Sequence, residues 1–230
     1  MQQYRAQGWV RFPGVFNQLV IAGNSNFSSP TMNPNHQKIK ATISRYKRAM
    51  SKEQKEWGMI NDGSGKRYLL GPLYLRVDDT QGALKHYQWF ETSFPDDSGE
   101  PFHRMAWSLT LYRNGDTDAA YNMLLKTMFL NLYLFPTLFG ENPDPIQMDH
   151  STNWAELPYV QQAPKWMLGL WSDPEIAWAK SVYDSDLTTK TRDRYITIHQ
   201  FLDLEPPGEK RSIFVEESRK LESLDFSCLS

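Results

Sequence analysis

From Lys66 onward, apolar residues recur at spacings of three and four almost without pause, and only short polar breaks near 77–80, 95–99 and 114–117 interrupt them. That rhythm sets one helical face against a core, and connections this short make consecutive helices lie antiparallel. Four helices of about 12 to 16 residues fit between the breaks. An irregular stretch follows at 140–157. Three more helices are expected near 159–171, 174–185 and 188–204, the last stopped by Pro206, Pro207 and Gly208, and a short one at 213–224 closes the chain. The fold class is all-α, built from antiparallel helix hairpins.

Upstream the pattern changes. Residues 1–33 carry Gly8, Pro13, Gly14, Gly23 and Pro30 with an Asn/Ser run, so an irregular arm is expected, with one short apolar segment at 15–22. From Asn35 the spacing of Ile39, Ile43, Tyr46 and Met50 predicts an amphipathic helix with a basic outer face. A second short helix is expected from Ser51 to about Ile60, and NDGSGK then makes a turn. That turn is not a Walker loop: Ile60 stands where the first glycine belongs, and Arg67 where a hydroxyl residue would hold magnesium. Three regions result: a basic N-terminal arm with helices (1–65), central hairpins (66–135), and a loop with a C-terminal helical cap (136–230), together one compact domain.

A 40% hydrophobic fraction with 13% aromatics in 230 residues describes a folded chain. The single cysteine, Cys228, excludes an internal disulfide framework and a multi-cysteine zinc site. No apolar stretch is long enough to span a bilayer, and MQQYRAQGWV lacks the order of a signal peptide, so a soluble, cytoplasmic protein is expected. Charge is unevenly spread: residues 1–70 hold 11 Lys/Arg against 3 Asp/Glu, and 71–160 hold 5 against 12. A basic arm of this kind folds back on the acidic half, stays solvated, or meets nucleic acid. Its few interleaved aromatics leave nucleic acid as the lesser alternative.

Two windows share an offset pattern. In LLGPLYLRVDDTQGALKHYQWFETSFP, Leu70, Gly71, Tyr74, Ala83, Tyr87 and Pro95 fall at set spacings; in WSLTLYRNGDTDAAYNMLLKTM, Trp107, Leu111, Gly115, Asp116, Ala120 and Leu124 do the same. The logic is one of packing: small residues sit where two helices touch, large rings fill the gap, and proline stops the second helix. The pattern resembles the tetratricopeptide repeat (TPR), over about residues 67–134. Departures are Phe90, Ser108 and Thr127 at positions the family keeps small, and a period of 37 between Ala83 and Ala120. The resemblance implies hairpins stacked as a short right-handed superhelix. It implies a non-catalytic scaffold or adaptor with no cofactor, and a concave groove lined by Tyr68, Leu75, Arg76, Phe102, Leu109, Tyr112 and Arg113 that holds a protein or peptide partner. The bland alternative is a generic helical bundle in which Leu75 and Leu109 are core and the arginines are solvated.

An enzyme is the other rival. Asp144, Asp149, His150 and Glu156 gather in the 140–157 loop and suit acid/base or metal chemistry, although such residues are also ordinary turn formers. No histidine pair has the spacing of a helical metal site, and no nucleophile elbow occurs. Most of the eight tryptophans are expected between helices. The segment at 128–140 is apolar on nearly every face, which predicts central burial or, failing that, an exposed patch for a homo-oligomer.

Overall fold

The computed structural model describes residues 34–150 and 152–226; the arm at 1–33, with its apolar segment and Trp9, and Cys228 lie outside them. Among the described residues there are eleven α-helices, one 3-10 turn and no strand. None of these helices is long and apolar enough to cross a membrane.

Helix α1 (Pro34–Trp57) runs unbroken through Ser51, where two helices were expected. Residues 52–56 are all good helix formers, which outweighs one serine inside the helix. The stop comes at Gly58, at φ 69°, whose N–H donates to the Gln54 carbonyl at 3.0 Å and whose carbonyl accepts from Gln54 Nε2 at 2.9 Å. The NDGSGK turn that follows is organised by Asp62. Its buried carboxylate accepts from the Arg67 N–H at 2.6 Å and from Ser64 Oγ at 3.2 Å. Burial pushes this carboxyl up, but N–H bonds from Arg67 and Lys66 and the Lys66 charge outweigh it and hold the group below the usual range. An internal anion thus sits at the start of α2 (Lys66–Leu75).

Helices α3 (Thr80–Ser93), α4 (Pro101–Arg113) and α5 (Thr117–Leu130) complete two hairpins whose turns correspond residue by residue. Asp78 and Gly115 both take left-handed backbone, at φ 58° and 85°. Asp79 and Asp116 then cap α3 and α5 by accepting from the N–H of Gly82 at 2.7 Å and of Ala119 at 3.1 Å. Their own N–H groups reach back to the carbonyls of Tyr74 and Leu111, each at 3.0 Å. Within the first hairpin a β-carbon on Gly71 would collide with the Tyr87 hydroxyl and ring, so the glycine is what lets the buried Tyr87 cross α2. The Tyr87 ring stacks on Trp107, with centroids 4.9 Å apart, and ties the two hairpins together. Ala83 and Ala120 are fully buried, and α3 ends just before Pro95. Helix α4 packs against α2, α3 and α5.

The apolar 128–140 segment is centrally buried but is not one helix. After α5 the chain turns at Asn131, whose Oδ1 accepts from the Tyr133 N–H at 2.9 Å and whose Nδ2 donates to the Trp154 carbonyl at 2.7 Å, before α6 (Leu134–Leu138). The single helix expected over 159–171 is two short ones, α7 (Leu157–Gln161) and α8 (Lys165–Leu168), because Pro164 cannot donate to the ladder. Helices α9 (Asp173–Tyr183), α10 (Asp186–Leu204) and α11 (Glu209–Glu222) each begin earlier than expected. One apolar core runs from Leu75 to Leu221, and a smaller one of Ile43, Met50, Leu70, Leu73 and Val77 fixes α1 on α2. Of the described tryptophans only Trp107 and Trp171 are buried, whereas Trp89, Trp166 and Trp178 pack half-exposed and Trp57 and Trp154 face solvent.

Candidate functional site

The residues expected to line a partner groove already have partners within the chain. Arg113 forms a two-point ion pair with Glu175 of α9, Nε to Oε1 at 2.7 Å and Nη2 to Oε2 at 3.0 Å, and Nη2 also donates to the Leu170 carbonyl at 2.8 Å. Burial alone would raise the Glu175 carboxyl, but the Arg113 and Ser172 hydrogen bonds hold it below its ordinary value. Tyr112 stacks on Trp178 at 4.3 Å, and the Arg76 guanidinium lies over Trp166 at 4.8 Å. Phe102 is buried against Tyr159, and Leu75 and Leu109 are core. The Tyr68 hydroxyl donates to Asp97 at 2.8 Å and accepts from Arg67 Nη2 at 2.8 Å, while burial, then Asp97, pushes it up to about 12. The segment from Trp154 through α9 therefore supplies a carboxylate and aromatic surface to these side chains.

The 140–157 loop separates its candidates. Asp144, His150 and Glu156 share a cavity of about 510 Å³ beside Tyr133. Asp149 turns elsewhere, toward Arg211 at 3.8 Å, and its backbone exchanges hydrogen bonds with His199. Among the described residues no group of three or more His, Cys, Asp or Glu is arranged to hold a metal ion.

A different surface stands open. Between the C-terminal half of α1 and the first hairpin lies a cavity of about 550 Å³, floored by Met50, Ile60, Leu70 and Trp89. Periodicity explains the α1 wall: Lys47, Met50, Ser51, Gln54 and Lys55 share one helical face. Gly82 keeps the α3 wall low, since a β-carbon there would strike Asp79 and Tyr74. Three lysines rim the opening, Lys47, Lys55 and Lys85, and none of them makes an ion pair with a described residue. Among the described residues, Lys47 Nζ donates to the Tyr74 hydroxyl, at 3.4 Å. At the base, the His86 Nε2–H donates to the Arg67 carbonyl at 2.8 Å, and burial, with a smaller push from Lys47, lowers this imidazole to about 4. Next to Ile60 and Lys55 in sequence, Trp57 and Met59 are 73% and 62% exposed.

Sequence reasoning missed this surface. Lys47 and Lys55 read as part of a solvated basic face; only the placement of Lys85, His86 and Trp89 opposite them, on another hairpin, makes a cavity. A signal was present nonetheless in the apolar pair Trp57 and Met59, at and just past the end of a basic helix that needs no such residues. Comparison of the chain with protein-family models, curated proteins and solved structures gives no match.

Proposed function

We propose that this protein is a non-catalytic adaptor that holds an acidic, amphipathic segment of a partner protein in the groove between α1 and the first hairpin. In this reading the two hairpins are a short tetratricopeptide-like right-handed stack, closed on one side by α7–α9 and used on the other. The observation that carries it is the apolar floor of Met50, Ile60, Leu70 and Trp89 beneath three lysines that make no ion pair with a described residue. An apolar helix face with carboxylates on its flanks complements that surface, burying its leucines on the floor and meeting the rim with charge. A nucleic-acid backbone would satisfy the lysines but not the floor.

The test uses a helical peptide with leucines at i, i+3, i+4 and i+7 and glutamates on its flanks, against the same peptide with lysines there. The acidic peptide should bind at least about tenfold tighter, roughly 1.4 kcal/mol. Raising salt should shrink the difference, and Lys47→Glu/Lys55→Glu/Lys85→Glu should reverse it; all three side chains are exposed, so the fold survives. Equal binding of the two peptides, or none, refutes the proposal.

A further inference from the structure

A third cavity, of about 430 Å³, lies between α4, α5, α10, α11 and the segment around Trp154. Two cations share it, Arg104 from α4 and Lys126 from α5, and neither forms an ion pair with a described residue. The Arg104 guanidinium is held in place by main-chain oxygens instead: Nε donates to the Ser98 carbonyl at 2.6 Å and Nη2 to that of Asp97 at 3.3 Å, with Cζ 4.9 Å from the Trp107 ring centroid. Its position is fixed without its charge being neutralised. Burial pushes both cations below their ordinary values, and the charge of Arg104 presses Lys126 further; Glu91 and Asp97 act on them only from beyond ion-pair distance. Among the described residues on the cavity wall one carboxylate is present, that of Glu222, which accepts from Ser218 Oγ at 3.1 Å.

We infer that this cavity is a binding site for a small organic anion. Its oxyanion head, a phosphate monoester or a carboxylate, sits between Arg104 and Lys126, and its apolar body lies against Phe129, Leu130 and Trp154. Two half-buried like charges repel each other and lack full hydration, an arrangement that is unfavourable until an anion enters. A guanidinium already locked by backbone carbonyls loses little freedom when it receives an oxyanion, and the volume suits a single ring with its head group.

Phenyl phosphate, benzoate, inorganic phosphate and benzamide, each added to the full chain, test this by thermal melting and by tryptophan fluorescence, which Trp154 on the cavity wall reports. Phenyl phosphate or benzoate should raise Tm saturably and bind at least tenfold tighter than both inorganic phosphate and benzamide; which of the two does so identifies the head group. Lys126→Met should melt higher than the unliganded wild type yet bind the ligand at least tenfold more weakly. Arg104→Lys, which keeps the charge but loses the fork, should also weaken binding. Absence of a saturable response at low millimolar concentration, an equal response to inorganic phosphate, or an undiminished response in Lys126→Met overturns the inference.

Discussion

Acidification should destabilise this protein well above the pH at which its carboxylates protonate. His86, His103 and His199 are buried, and burial is the first cause lowering each of them. The hydrogen bonds of His86 and His103 fit neutral rings: His86 donates from Nε2 to the Arg67 carbonyl, and His103 donates from Nδ1 to the Tyr68 carbonyl at 3.1 Å while its Nε2 has no partner among the described residues. His199 donates from Nδ1 to the Asp149 carbonyl at 3.0 Å, and its Nε2 lies 3.0 Å from Ser218 Oγ. His86 is lowered to about 4, whereas an unfolded chain titrates its histidines near ~6.5. Between those values the unfolded state binds more protons, so the stability held above pH 6.5 is lost as pH falls toward 4. For His86 alone the linkage relation gives a loss of about 1.8 kcal/mol between pH 7 and 5. His103, held well below its ordinary value, and His199 add in the same direction; Glu100, raised by burial, acts in the opposite one. Total stabilities of about 5–15 kcal/mol make such a loss easy to see. Urea unfolding at pH 7, 6 and 5 measures it, with His86→Gln as control, since glutamine can still donate to the Arg67 carbonyl but takes up no proton. Near pH 5 the wild-type slope should exceed that of the variant by about 1.2 kcal/mol per pH unit. Equal slopes, or a folded-state His86 resonance titrating near 6.5, would refute the reasoning.

Gly71→Ala pits helix propensity, a gain of about 0.5–1 kcal/mol, against overpacking beneath Tyr87, a cost of about 1–3 kcal/mol. The variant should lose stability and melt a few degrees lower, and an unchanged or higher Tm would contradict the Gly71–Tyr87 contact. Arg113→Met leaves Glu175 without its guanidinium; because the pair is partly solvated, the cost is set at about 1–3 kcal/mol. Faster hydrogen exchange confined to α8 and α9 should accompany that loss. Asp62→Asn should cost about 1 kcal/mol at pH 7, and the cost should shrink as pH falls below the usual carboxylate range, because a carboxyl held low contributes stability that is lost as pH falls through its folded value; a cost independent of pH across thermal melts would sink the assignment.

The hairpins were legible because their determinants are local. Asp79 and Asp116 cap within three residues, Gly115 turns where only a left-handed residue fits, and Gly71 faces Tyr87 across one turn. Boundaries failed where a single polar residue decided between helix and turn. Ser51 reads as a cap but stays inside α1, and Asn131 reads as part of an apolar helix but ends it by bonding to residues more than twenty positions away. For the expected groove, the information that the sequence lacks is long-range. Arg113 meets Glu175 across 62 residues, and nothing in the spacing of the second window announces that the chain itself brings the acid. An arginine on a predicted concave face therefore says that a carboxylate is wanted there, not whose it is.

The same reasoning separates the two sides of the hairpin stack. A short helical stack has to close its ends with polar-faced elements, and α9 does so on one side by neutralising Arg113 and stacking on Tyr112. On the other side α1 covers Leu70 and Leu73 yet leaves an apolar cavity beside them. Closing that cavity electrostatically would have been simple, since α1 carries Glu53 and Glu56. Instead Glu53 pairs with Lys66 at 3.7 Å and Glu56 with Lys52 at 3.6 Å, and neither lines the cavity. The rim keeps one sign of charge over an apolar floor, with Trp57 and Met59 exposed next to it in sequence. A surface needed only for packing gains nothing from holding three like charges around exposed apolar area. A surface that meets a complementary acidic helix gains both attraction and discrimination against basic ones, and this is why we place the partner site on the α1 side.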